Sequence, residues 1–162
     1  MKWRPEGYER RIHGAIMQCV KPEDVLLHLG DVSLGDDEGA HREYIMKWPG
    51  KKILIRGNHD SRSDVWYYGH GWDTVCTMMM IERFGKKILF SHIPQQDLGW
   101  FDINVFGHFH DNTHATIREK EPEIASILCS KHILLAVEEI NYQPILLDTF
   151  YQKAINKKPR YE

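Results

Sequence analysis

Apolar residues recur every four positions near the start of the chain, at Tyr8, Ile12, Ile16 and Val20. This is the stripe of a one-sided helix, and Lys21-Pro22 ends it. The next apolar run, Val25 to Leu29, has the length and composition of a strand. Ala40, Tyr44, Ile45 and Trp48 form a second helical face closed by Pro49-Gly50, and Ile53-Leu54-Ile55 returns to strand type. Met78 to Phe84 and Lys86 to Phe90 flank Gly85 as the arms of a hairpin, and Ile103 to Phe106 and His132 to Val137 predict two more strands. Near-continuous apolar strands separated by helices predict an α/β sheet buried on both faces, with antiparallel additions. The 162 residues are read as one domain, 1–152, whose substance runs from about Trp3 to Phe150, followed by a polar basic tail, 153–162.

Composition narrows the function classes. Hydrophobic residues make up 42% and charged residues 27%, a globular balance with core enough to fold. The formal charge of −2 leaves no basic excess, so stable binding to nucleic acid or to an anionic membrane is not expected, although a nucleotide could still be a substrate. No apolar run reaches the ~18 residues of a membrane span, and no secretory leader is visible. Cys19, Cys76 and Cys129 are widely spaced, without the pattern of a zinc knuckle or a disulfide framework. Together these features predict a cytoplasmic protein. The unusual count is ten histidines, which directs attention to metal chemistry.

Four predicted strands end in residues able to bind a metal: Gly30-Asp31, Gly57-Asn58-His59-Asp60, Ser91-His92 and Gly107-His108-Phe109-His110. In open α/β sheets ligands gather outside the carboxyl ends of strands, so residues distant in sequence converge there. A carboxylate such as Asp31 can bridge two dications. Asn58 offers a neutral amide oxygen, and the imidazoles of His92 and His108 suit Mn, Fe, Ni or Zn better than Mg or Ca. Asp31, Asn58, His92 and His108 are therefore the strand-end residues expected to converge in one crevice around a divalent transition metal ion.

In this order, the blocks match four of the five that mark the calcineurin-like metallophosphoesterases, and the chain resembles small stand-alone bacterial and phage members of that family from about Trp3 to Phe150. The resemblance implies a four-layer sandwich of two mixed β-sheets flanked by helices. It also implies hydrolysis of phosphomonoesters or phosphodiesters, small molecules or nucleotides, by metal-activated hydroxide at a pair of metal ions. By the same likeness Asp31 and His110 serve the second ion, and His59 protonates the leaving group or stabilises the transition state without ligating. Asp60 supports the loop or an imidazole from behind.

The family's first block, Asp-x-His at the end of the opening strand, occurs nowhere in the 162 residues. The first strand is therefore expected to be absent, through a late start or trimming in preference to evolved loss, because a missing strand leaves backbone groups unpaired. The second ion would keep only Asp31 and His110. This departure sustains an alternative function, a catalytically weak or silent metal-binding scaffold acting as an interaction protein. A structural zinc site is disfavoured by Asp31 and Asn58.

The remaining features read as architectural. His28 alternates with Leu27 and Leu29 as a second-face strand residue, His13 and His41 lie on helices, His132 opens a strand, and His70 and His114 fall in loops. Trp66, Tyr67, Tyr68 and Trp72 read as a cluster closing a small core, and Arg56 and Arg62 as solvated or paired with carboxylates. Substrate choice is assigned to the loops Ile93 to Phe101 and Ser61 to Trp72.

Overall fold

Helix α1, Tyr8–Cys19, forms on the four-residue stripe, and the extended backbone of Val20 leads away from it toward strand β1, Val25–His28. The computed structural model in which these elements are seen describes residues 4–110 and 114–155. The second predicted helix is interrupted: α2, Asp37–Glu43, stops at Tyr44, and a 3₁₀ turn, Ile45–Lys47, completes it. The tighter turn brings Ile45 and Trp48 into the core that Ile16 enters from α1. Strand β2, Lys51–Ile55, follows.

The segment read as the loop Ser61 to Trp72 contains a helix, α3, Asp64–Gly69, with the Ser63 hydroxyl accepting from the Trp66 N–H at 3.2 Å. Two turns are too short for a periodic stripe to show. Strand β3, Thr74–Cys76, escaped prediction for the same reason. Strands β1, β2 and β3 lie in that order, parallel throughout.

The second sheet is mixed. Strands β4, Met78–Arg83, and β5, Lys86–Ser91, form the predicted hairpin through Phe84-Gly85, both with positive φ as a tight hairpin turn requires. Strands β6, Ile103–Phe106, and β7, His132–Leu134, run parallel to β5. Strand β7 is shorter than predicted: Leu135 still donates to the Phe106 carbonyl, and the chain then folds into turns at Ala136 to Gln143. Three helices complete the chain, α4, His114–Lys120, α5, Pro122–Ile127, and α6, Leu147–Ile155. His114 thus opens a helix and is not in a loop; its side chain lies outside the described residues. Helix α6 carries the first residues of the predicted tail, and 156–162 also lie outside.

Strand alternation explains the layering. On β2, Leu54 faces Ile16, Ile45, Trp48, Tyr67 and Trp72, whereas Ile55 faces Ile88, Phe90 and Val105 of the other sheet. On β6, Val105 joins that inter-sheet core while Phe106 turns outward to Ile117, Ala125 and Leu128 of the α4–α5 region. The result is helices, sheet, sheet, helices, an α/β sandwich whose parallel strands deliver their carboxyl ends to one edge. No helix among the described residues is long and apolar enough to cross a membrane.

Several histidines are built into these layers. His41, fully buried, donates from Nδ1 to the Asp37 carbonyl (2.7 Å) and accepts at Nε2 from the Trp72 indole (2.9 Å), and burial lowers its pKa. His13 accepts from the Trp48 indole, and His132 bridges the Cys129 N–H and the Gln95 carbonyl. His70 caps α3, bonded to the Trp66 carbonyl and stacked on its indole at 3.7 Å. Ile55→Ala opens the inter-sheet core at a fully buried position, and a loss of about 2–5 kcal/mol is expected. Chemical denaturation measures it; a loss under about 1 kcal/mol would mean that the two sheets do not close on this residue.

Candidate metal centre

Strands β1 and β2 are parallel neighbours, so Gly30-Asp31 and Gly57-Asn58 emerge together. The two glycines touch. A Cβ on Gly30 (φ 88°) would lie 2.4 Å from the Gly57 nitrogen, and one on Gly57 would lie 2.1 Å from Asp31 Oδ1. Only glycine permits this approach. Asp60, 2% exposed, accepts from three backbone N–H groups, those of Asp31 (2.8 Å), Val32 (3.0 Å) and Gly57 (2.7 Å), and so ties one loop to the other. From the second sheet, His92 follows β5 and His108 follows β6, and the Gly107 N–H donates to the His92 carbonyl at 3.0 Å. Asp31, His108 and His110 all have positive φ, costly for non-glycine residues and concentrated here on candidate ligands.

The convergence is tight. His92 Nε2 lies 3.0 Å from Asn58 Oδ1, 3.1 Å from His108 Nδ1 and 3.3 Å from Asp31 Oδ2. Asp31, His92 and His108 each offer a ligand atom within 4.8 Å of the others. The outward nitrogens are already occupied: His92 Nδ1 donates to the Leu29 carbonyl at 2.6 Å, and His108 Nε2 faces the Glu121 carboxylate at 3.2 and 3.3 Å. A carbonyl and a carboxylate can only accept, so Nδ1 of His92 and Nε2 of His108 carry protons. This leaves His108 Nδ1 a lone pair in its neutral ring, while His92 Nε2 holds a proton against Asp31 or, on losing it, offers a second lone pair. Two imidazole nitrogens, a carboxylate oxygen and an amide oxygen face one another. Such a set needs a positive centre, and its N/O donors fit a divalent transition metal ion. A proton on His92 competes for the same place. Burial works against a charged His92, but the hydrogen bonds to Asp31 and Leu29 outweigh it and hold its pKa above the ordinary 6.5. Burial likewise raises Asp31, yet His92 and the His59 N–H hold it below 3.8.

The other sequence candidates sit around this cluster. His59 is exposed, and its backbone N–H donates to Asp31 Oδ1 at 2.9 Å. His110 is not within the cluster: its Nδ1 lies 3.0 Å from Arg4 Nη2 and 3.3 Å from Glu138 Oε1. His28 accepts the Gly30 N–H at Nδ1 (3.1 Å), and burial lowers its pKa. Arg56 grips the carbonyls of Asp60 and Arg62 and pairs with Asp64, while Arg62 pairs with Asp37. Tyr67 and Trp72 are core, whereas Tyr68 is exposed. Arg4, Glu121 and Glu138 were not singled out by sequence reasoning; Glu121 stands in the charged run Arg118-Glu119-Lys120-Glu121, which carries no local sign of a site.

The profile of the calcineurin-like phosphoesterases matches residues 8–150. The chain belongs to that family. Membership implies divalent metal ions and phosphate-ester substrates, in keeping with the ligand group found. Among solved structures, the chain is similar to a protein of unknown function from Aquifex aeolicus, with 27% identity and a TM-score of 0.67 over 93% of this chain and 87% of that one. A match to an archaeal phosphodiesterase has 19% identity and a TM-score of 0.45, over 65% of this chain and 67% of the other. No curated protein matches the sequence significantly.

Around His110, Glu138 Oε1 accepts from Arg4 Nε at 2.8 Å. Burial would raise the Glu138 pKa, but the His110 and Arg4 contacts outweigh it and bring it down to about 2. A depressed carboxylate contributes stability that is present above its ordinary value and is lost as pH falls toward the folded one. Glu138→Gln should cost about 1–2 kcal/mol at pH 7, and the gap to wild type should narrow as pH falls from about 5 to about 2. Thermal melts across that range test it; a gap independent of pH would show that the charge contributes nothing.

Proposed function

We propose that the protein hydrolyses phosphomonoesters or phosphodiesters of small molecules or nucleotides, with a divalent transition metal, Mn, Fe, Ni or Zn, held by Asp31, Asn58, His92 and His108. Asp31 and His110 are the residues offered to a second ion. The observation carrying this reading is the convergence of two imidazole nitrogens, a carboxylate oxygen and an amide oxygen at one point, with the outer nitrogen of each ring bonded to an acceptor. The metal, when bound, supplies Lewis acidity toward the phosphoryl oxygens and the attacking water. Asp31 and Asn58 set the floor of the site, fixed by the glycine contact and by Asp60. His59, anchored by its N–H on Asp31, keeps its exposed ring free to donate a proton to the leaving alkoxide or to stabilise developing charge. The segments 61–72 and 93–101 carry substrate choice. We read 1–152 as one functional unit, and the free thiols of Cys19, Cys76 and Cys129 suit a reducing, cytoplasmic setting.

Two experiments test the reading. Wild type incubated with Mn or Zn should retain stoichiometric metal by elemental analysis, and the double variant His92→Ala with His108→Ala should retain none. Equal metal in both would place the ion elsewhere. His59→Asn should keep its metal yet lose about 10²- to 10⁴-fold in turnover on alkyl phosphate esters, with a smaller loss on p-nitrophenyl esters, whose leaving group needs no proton. A uniform loss would remove the acid role. A protein that binds metal and cleaves no ester would leave the scaffold as the better account.

A further inference from the structure

His108 takes part in the cluster through Nδ1, which requires the ring to be held in one orientation and its proton on Nε2. The backbone alone does not ensure this, since His108 is a left-handed residue in the turn after β6. What faces Nε2 is Glu121, with both carboxylate oxygens in reach, at 3.2 and 3.3 Å.

Glu121 is well anchored for such a task. It stands at the junction of α4 and α5, its N–H donating to the Ile117 carbonyl (2.8 Å) and its carbonyl accepting from Ala125 (2.9 Å). Ile117, Ala125 and Leu128 are buried against Phe106 and Phe109, the residues that bracket the Gly107-His108 turn. The helix pair and the residues on either side of His108 thus share one apolar cluster, which fixes the Glu121 backbone relative to the turn, while its side chain, 38% exposed, reaches the ring.

We propose that Glu121 is a positioning residue of the metal centre: its carboxylate accepts the His108 Nε2–H, fixing the tautomer and ring orientation that present Nδ1 to the ion. This rests on the metal reading above, and it assigns a structural purpose to the α4–α5 pair, which contributes no ligand to the cluster. Carboxylate support of a ligating imidazole raises ligand basicity and affects metal affinity about 10- to 100-fold.

The test compares wild type, Glu121→Ala and Glu121→Gln in the full chain, with two readouts. Long-range ¹H–¹⁵N spectra of the metal-free proteins, with the His108 signal assigned by its loss in His108→Ala, report the tautomer. Competition with a chelator reports Zn affinity. Wild type should show the Nε2–H form. Glu121→Ala should populate the Nδ1–H form and bind Zn about 10- to 100-fold more weakly. Glu121→Gln, whose amide oxygen still accepts, should keep the tautomer and lose less affinity; it also covers the case in which the alanine variant fails to fold. A wild-type His108 protonated on Nδ1, or Zn affinities within about twofold across the three, overturns the proposal. Wild type that binds no Zn while its His108 tautomer still follows Glu121 would refute the metal reading and leave the Glu121–His108 coupling standing.

Discussion

The buried carboxylate of Asp60 is the constraint on which the site depends. Its two oxygens accept three backbone N–H groups from two loops, one following β1 and one following β2. Backbone dipoles thereby stand in for the water a carboxylate would otherwise keep, and charge-assisted bonds of this type are among the stronger available to a protein. Arg56 closes the arrangement by holding the Asp60 carbonyl. With the loops tied at that point, Gly30 and Gly57 are pressed into contact and Asp31 is carried in a left-handed conformation that an unsupported loop would relax. Asp60 offers nothing to a metal itself, yet the relative placement of Asp31 and Asn58 follows from it.

The second sheet meets this frame by a different device. His92 and His108 are aimed by what their outer nitrogens touch, the Leu29 carbonyl for one and Glu121 for the other. The first of these partners belongs to the β1 loop, so His92 also joins the two sheets at their shared edge. The inward lone pairs leave two ways of satisfying the cluster: a proton shared between His92 and Asp31, favoured by the opposed shifts of their pKa values, or a metal ion. Metal uptake is accordingly coupled to loss of that proton.

Much of this was legible in the sequence because it rests on local signals. The stripe of α1, the strand runs of β1, β2 and β6 and the β4–β5 hairpin each span enough residues to show a period or a turn. The division into two sheets did not follow from these strands, which read as one sheet buried on both faces; it came from the family resemblance, and the structure has it. Short elements such as α3 and β3 left no period to read, and they exist because packing onto Tyr67, Trp72 and Val75 holds them. The 3₁₀ break after α2 was invisible for a related reason, since Ile45 and Trp48 read as apolar in either geometry. The converging residues could be listed because each follows a strand. Glu121, Arg4 and Glu138 could not, since each acts through a partner far along the chain, and a charged residue within a charged run has no local mark of its use.

The way the fold disposes of its other histidines affects its relation to metals before it has folded. His13, His28, His41, His70 and His132 all have ring nitrogens bonded within the structure, to indoles, backbone carbonyls or backbone N–H groups. In an unfolded chain those same rings, with the rest of the ten, are free to bind any transition metal present. Folding thus builds one ordered cluster while withdrawing imidazoles that the open chain would offer. Ligand that binds both states stabilises only by the difference. On the proposed metal reading, a modest supply would favour the native chain, whereas a large excess would be drawn to the many loose sites of the unfolded one, and histidine wealth would then be a liability during synthesis in metal-rich surroundings.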